Sequence, residues 1–303
     1  MKKIKQKNNL LVIIGPTATG KSDIAIKLAK QFNGEIISAD SRQVYKGLDI
    51  GSGKVTKQEQ KLAKHHLLDI VSPKKQFSVA EYQKLANKKL KQIWNEKKTP
   101  IICGGSPLYI ISVLEGWSFP KTKTSLKIRK ELESKTIDTL LKELKSLDPE
   151  RIQTIDIKNK RRLIRALEII YTTGNKVKPL IKRPLNANIL ILSTQKTRKE
   201  LQNLIKSRLD KRLKEGMVEE ILKLKKRGLS SEKLNSFGLE YRYINQYLDK
   251  EILYNEMYDT LYKKIIDFSK RQITWFKKFP NIRYINNERE AIALTKDFLS
   301  IQK

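Results

Sequence analysis

Apolar residues fall along this chain in two rhythms. Leu10-Leu11-Val12-Ile13-Ile14 is an unbroken apolar run, and shorter relatives of it occur at Gly34-Glu-Ile-Ile-Ser38, Thr99-Pro-Ile-Ile-Cys103 and Asn188-Ile-Leu-Ile-Leu-Ser193. Short unbroken runs of this kind mark strands buried on both faces of a parallel sheet. Between them Ile24, Ala25, Leu28, Ala29 and Phe32 recur at helical spacing, as do Tyr82, Leu85, Ala86, Leu90 and Ile93 within a helix predicted over 77–96. Strand, helix, strand is the opening of a parallel α/β domain, whose ligands sit at the carboxyl ends of the strands.

From 112 to 185 the rhythm changes. Lys and Arg dominate, glycine is sparse, and short helical patterns over 125–133, 137–147 and 159–172 replace strands. The pattern predicts a basic, all-helical insertion at 112–185 in a core made of 1–111 and 186–303. After the fourth strand the remainder reads as helical. Leu201, Leu204, Ile205, Leu209, Leu213, Val218, Ile221 and Leu222 predict one long amphipathic helix, with Arg208 and Arg212 on one face and Gly228 as its stop. A turn and short helix follow over 236–243, then a long helix over 256–279 that ends before Pro280.

Composition narrows the picture. No run approaches the roughly 20 apolar residues of a membrane span, and the mean hydropathy of −0.52 fits a soluble chain. The charged start Met1-Lys-Lys-Ile-Lys has no cleavage site and leads straight into the first strand, so it is not read as a signal peptide. One cysteine, Cys103, excludes an internal disulfide and a Cys-rich zinc site and points to a reducing cytoplasm. It is read as a small core residue, and the adjacent His65 and His66 as structural. With 64 Lys and Arg against 32 Asp and Glu, the net charge is +32. Such a charge favours a polyanionic partner. It also reflects a composition rich in Lys, Ile and Asn.

The chemistry starts at Gly15-Pro-Thr-Ala-Thr-Gly-Lys-Ser22, the G-x-x-x-x-G-K-[ST] spacing of a phosphate-binding loop, placed between a strand and a helix as that loop requires. Backbone N–H groups of Gly15, Pro16's successors Thr17, Ala18 and Thr19, and Gly20 face an anion at a helix N-terminus. Lys21 adds a point charge, and the Ser22 hydroxyl is suited to Mg²⁺. Asp40, at the end of the second strand, shares this rim and is suited to bind a metal ion or to act as a general base. The third strand ends in Gly104-Gly-Ser-Pro-Leu-Tyr109, which brings the Ser106 hydroxyl to the same place. Arg161, Arg162 and Arg165 share helical spacing and are either a solvated face or a phosphate-binding one. From Lys270 to Lys278, cations alternate with aromatics suited to base stacking, although Trp275 and Phe276 also fit a core. The loop alone also suits an ATP-binding small-molecule kinase, and the charge alone suits a non-catalytic RNA-binding protein.

Six motifs occur in order: Gly15 to Ser22; Ser38-Ala-Asp-Ser-Arg-Gln-Val-Tyr-Lys-Gly-Leu-Asp-Ile-Gly-Ser-Gly-Lys54; His66-Leu-Leu-Asp69; Gly104 to Tyr109; Arg161-Arg-Leu-Ile-Arg-Ala-Leu-Glu168; and Lys270-Arg-Gln-Ile-Thr-Trp275. Over nearly its whole length the chain resembles the bacterial tRNA dimethylallyltransferases. The resemblance implies transfer of a dimethylallyl group from its diphosphate to N6 of the adenosine 3′ of the anticodon, with Asp40 as base and Ser106 assisting. It implies that the loop, Mg²⁺ on Ser22, and Arg212 hold the diphosphate. It also implies tRNA contacts at Asp40, Ser41, Arg42, Gln43, Ser106, Arg129, Arg161, Arg162, Arg165, Arg242, Lys270, Arg271, Gln272, Trp275 and Lys277. The expected protein is a cytoplasmic monomer that takes the tRNA anticodon stem-loop and dimethylallyl diphosphate. The family usually carries Thr in place of Ser106 and Gly-Tyr in place of Glu240-Tyr241.

Overall fold

The structure is a computed structural model and describes residues 7–120 and 125–300. In chain order its first elements are β1 (Asn8–Ile14), α1 (Lys21–Gln31), β2 (Gly34–Ser38), α2 (Lys57–Leu62), β3 (His65–His66), α3 (Val79–Asn95), β4 (Thr99–Cys103) and α4 (Pro107–Leu114). Four helices follow: α5 (Leu126–Ser134), α6 (Ile137–Leu147), α7 (Pro149–Thr154) and α8 (Lys160–Thr173). The chain then returns through β5 (Ala187–Thr194), α9 (Arg198–Lys214), α10 (Met217–Lys226), α11 (Ser231–Ser236), α12 (Leu239–Leu248), α13 (Tyr254–Phe276), β6 (Ile282–Ile285) and α14 (Glu288–Ser300).

The six strands form one sheet in the order β3-β2-β4-β1-β5-β6, and every pairing is parallel. Its centre shows why the strand sequences are unbroken apolar runs. Successive residues of a strand point to opposite faces, and in β1 both faces are covered. Leu10, Val12 and Ile14 enter one hydrophobic cluster, with residues of α3, α4, α9 and α13. Leu11 and Ile13 enter another, with α1 and Ala291 of α14. Helix starts are set locally: Ser78 with Glu81 and Thr197 with Glu200 form capping boxes at α3 and α9.

The chain divides into two compact units, one of residues 1–116 with 184–303 and one of residues 117–183. The boundary expected at 112 falls inside α4, which continues to Leu114. The smaller unit holds α5 to α8 around its own core of Leu132, Leu140, Leu144, Leu163, Leu167 and Ile170.

Three expectations are corrected. The long helix predicted from Leu201 to Leu222 is two helices, α9 and α10. The periodicity runs through, but Gly216 adopts φ +96°, a left-handed conformation that ends one helix and turns the chain into the next. The region beyond β5 is also not wholly helical, because β6 adds an edge strand beside β5. The long helix expected to reach Phe279 ends at Phe276. No helix among the described residues is long and apolar enough to cross a membrane.

Candidate active site

At the carboxyl ends of β1, β2 and β4 the larger unit opens a cavity of about 930 Å³, lined by the phosphate loop, the segment after β2, the turn after β4, and residues of α9, α12 and α13. Side chains separated by most of the chain meet here because a parallel sheet delivers the ends of its strands to one rim.

The loop between β1 and α1 forms the base. Lys21 Nζ donates to the Pro16 carbonyl at 2.5 Å. Burial drives the Lys21 ammonium down to about 8, with Arg208 adding to the push and Cys103 and Asp40 opposing it. Ser22 lines the cavity beside Lys21. Thr19 also lines the cavity, but its hydroxyl is buried against Thr194 (2.6 Å) and donates to the Pro16 carbonyl (2.9 Å), so its contribution to an anion is through the backbone. Gly15 and Pro16 are likewise buried, whereas Thr17, Ala18 and Gly20 face the cavity.

Asp40 follows β2. Its Oδ1 accepts from the backbone N–H groups of Arg42 (2.8 Å) and Gln43 (3.4 Å), which fixes the carboxylate at the rim. The Ser106 hydroxyl accepts from the Ser41 N–H at 3.0 Å, and the Ser106 N–H donates to the Ala39 carbonyl, so the turn after β4 is laced to the segment carrying Asp40. Gln43 is held between Ser38 and the carbonyl of Gly53. Cys103 lies buried beneath, its thiol pushed up to about 12 by desolvation, so it is no nucleophile.

The cationic wall comes from α9. Arg208 Nη1 donates to Thr17 Oγ1 at 3.3 Å, and burial together with neighbouring Arg212 pushes the Arg208 guanidinium down to about 10. Both guanidiniums press on Gly53, where a Cβ would lie 1.5 Å from Arg212 Nη2 and 2.2 Å from Arg208 Nη2. Its φ of +59° also favours glycine there. Sequence reasoning placed Arg212 here and left Arg208 without a role, although the two stand one helical turn apart.

The loop bearing Gly53 is anchored by a residue that sequence reasoning missed. Glu220 of α10 accepts from the N–H groups of Asp49 (2.9 Å), Ile50 (2.6 Å) and Gly51 (3.0 Å), and from the Tyr241 hydroxyl (3.0 Å). Lys54 finishes the loop, with a side chain only 3% exposed that pairs with Asp49 and Asp69. No spacing rule links Glu220 to residues 49–51, so nothing local could have revealed it.

Gln272 of α13 also lines the cavity. It is buried, and its amide accepts from the Thr17 N–H (2.9 Å) and donates to the Gly105 carbonyl (2.8 Å), joining α13 to both the phosphate loop and the Ser106 turn. A side chain so engaged clamps the two segments together. Around it Lys270, Arg271 and Lys277 are exposed, Trp275 is half-buried under Lys278, and Phe276 belongs to the core. Phe268, exposed on α13 beside Arg271, also lines the cavity. Arg242 is exposed on α12 and donates to the Asn235 carbonyl.

In the smaller unit, Arg161 and Arg162 are exposed on α8. Arg129 and Arg165 instead converge on Glu168, a fully buried carboxylate, at 2.8 and 2.7 Å. Burial raises the Glu168 carboxyl, but hydrogen bonds from Arg165 and Arg129 outweigh it and hold the group below its usual range.

An anion cradle with a carboxylate and a hydroxyl on one rim is a group-transfer site for a phosphate-bearing donor. A sequence profile of the IPP transferase family matches residues 43–279, and the chain belongs to that family. It is 40% identical over 270 residues to a tRNA dimethylallyltransferase of Shewanella sediminis, covering 89% of each chain. It is 36% identical to one of Alkaliphilus oremlandii, covering 96% of this chain and 97% of that one. Among solved structures, the tRNA isopentenylpyrophosphate transferase of Bacillus halodurans matches with a TM-score of 0.72 at 33% identity, covering 98% of this chain and 97% of that one. A eukaryotic dimethylallyltransferase acting on tRNA matches with a TM-score of 0.83 at 25% identity, covering 98% and 80%.

Proposed function

We propose that the protein transfers a dimethylallyl group from dimethylallyl diphosphate to N6 of the adenosine 3′-adjacent to the anticodon of tRNA, releasing diphosphate. The observation that carries this reading is the meeting of Lys21, Arg208 and Arg212 with Asp40 and Ser106 around one cavity.

The exocyclic N6 is a poor nucleophile because its lone pair is delocalised into the ring. Asp40 supplies the base. With Oδ1 held by two backbone N–H groups, Oδ2 takes the N6 proton as the new C–N bond forms. The C–O bond to the diphosphate breaks in the same event, and the charge released falls on the loop N–H groups, Lys21, Arg208 and Arg212. Ser106 accepts from Ser41, which leaves its O–H to donate at the reacting centre.

A Mg²⁺ ion fits the Ser22 hydroxyl. Bound there, the ion would neutralise leaving-group charge.

The adenine must leave its stack to enter the cavity. RNA contacts are read at Ser41, Arg42, Arg242, Lys270, Arg271, Trp275 and Lys277 in the larger unit. In the smaller unit they are read at Arg161 and Arg162, and at Arg129 and Arg165, which Glu168 steers. A cytoplasmic location fits a tRNA substrate.

The test is incubation with unmodified tRNA, Mg²⁺ and dimethylallyl diphosphate, followed by nucleoside mass analysis. A dimethylallyl increment on adenosine is expected, and Asp40→Ala should slow transfer about 10²–10⁴-fold with tRNA binding nearly unchanged. Phosphoryl transfer from ATP to a small molecule, with no increment, would return the site to a kinase.

A further inference from the structure

Arg212 already has a partner. Its Nη1 lies 3.7 Å from Oε1 of Glu240, and the two side chains are 12% and 22% exposed. Among the described residues, this is its only ion pair. At 3.7 Å the contact is charge against charge without a hydrogen bond, so the forked guanidinium keeps its donors for a better acceptor. Glu240 stands in the first turn of α12, after Gly238, which offers no side-chain cap. Gly238, Leu239 and Glu240 all line the cavity. A helix N-terminus with unspent N–H groups favours an anion, and the anion it has is this carboxylate. Arg208 and Arg212 crowd one glycine, and the pair would repel more strongly without it.

We propose that Glu240 is an internal counter-anion for Arg212 that sets how tightly the cavity holds diphosphate. The proposal rests on the reading of Arg212 as a diphosphate ligand. In the free protein Glu240 holds the guanidinium at the wall. The incoming diphosphate takes the fork, with two parallel N–H to oxygen contacts replacing one loose pair, and Glu240 moves off it. Breaking that pair lowers the net affinity for donor and product alike, so the carboxylate weakens capture and speeds release. Glu240 is thus a positioning residue for Arg212, acting on the anion through the arginine.

The experiment is calorimetric titration of the full chain with inorganic diphosphate and Mg²⁺, for the parent, Glu240→Gln, Arg212→Gln and the double variant. Glu240→Gln keeps the side-chain volume and removes the charge. It should tighten diphosphate about tenfold, and product inhibition by diphosphate should strengthen by the same factor. In the Arg212→Gln background the same change should alter affinity less than about twofold. Equal or weaker binding by Glu240→Gln, with its thermal midpoint unchanged, would overturn the proposal. Should that midpoint fall, Glu240→Ala is titrated instead and judged by the same two results. If Arg212→Gln binds diphosphate as tightly as the parent, the reading of Arg212 itself fails, and the counter-anion with it.

Discussion

The two ends of the sheet treat buried charge in opposite ways. At the amino end of β2, Glu35 is 3% exposed and met by three cationic or polar partners: His66 Nε2 at 2.6 Å, Lys98 Nζ at 2.6 Å and Lys64 Nζ at 3.2 Å. Burial pushes its carboxyl up, but hydrogen bonds from Lys98, His66 and Lys64 outweigh it and bring the group down to about 2. At the carboxyl ends of the strands the imbalance is reversed. Lys21 and Arg208 are pushed down to about 8 and about 10 by desolvation that their neighbours do not offset. One cluster closes on itself, and the other sets its cations around an open cavity. The first is read as architecture and the second as the candidate binding site.

If that contrast is sound, removing charge from each end should do different things. The largest effect belongs to Lys21→Met, which should weaken inorganic diphosphate by about 10²–10³-fold while leaving the thermal midpoint equal or higher, as calorimetry and thermal melts would show. Next comes Glu35→Ala. Breaking a buried ion cluster from one side should cost about 3 kcal/mol of stability, read in denaturant melts, with the KM for dimethylallyl diphosphate unchanged. A KM shift there would erase the distinction between the two ends.

The smallest effect is on pH. Free Lys21 loses its proton above about 8, while a bound diphosphate keeps it charged. Affinity should therefore be full below about pH 8 and fall by up to about tenfold per unit above it. The same lowered pKa means that the unfolded chain binds the extra proton between about pH 8 and 10.5, so the free protein should gain stability across that window. A flat affinity profile would place the anion away from Lys21.

The central strands were legible because each is covered on both faces and so carries its burial as an unbroken apolar run. β3 and β6 were not. The first is only His65–His66, and the second, Ile-Arg-Tyr-Ile, has two exposed residues in the middle. An edge strand needs a neighbour to exist, and a neighbour leaves no local trace. The joint between α9 and α10 was missed for a different reason: the apolar period is the same on both sides, and one backbone angle at Gly216 decides the break. Gln272 was assigned to RNA contact through the family resemblance of Lys270-Arg-Gln-Ile-Thr-Trp275, and nothing local showed that it is buried. Its burial follows from α13 lying against the phosphate loop, 255 residues away in sequence. Arg129 came from the same resemblance and Arg165 from helical spacing together with it, and neither reveals that both meet Glu168, which lies on the inner side of α8.

What the sequence determined by itself depends on residues close in the chain: the phosphate loop between its strand and helix, the place of Asp40 and Ser106 at strand ends, the basic helical stretch, and the family. Only the tertiary structure decided which distant groups meet at that rim. Arg208 and Arg212 lie against Gly53, Glu220 is bound to residues 49–51, and Glu240 stands beside Arg212. The physical reason is that periodicity encodes which face of an element is buried, while the partner across the gap is chosen by packing of elements far apart in the chain.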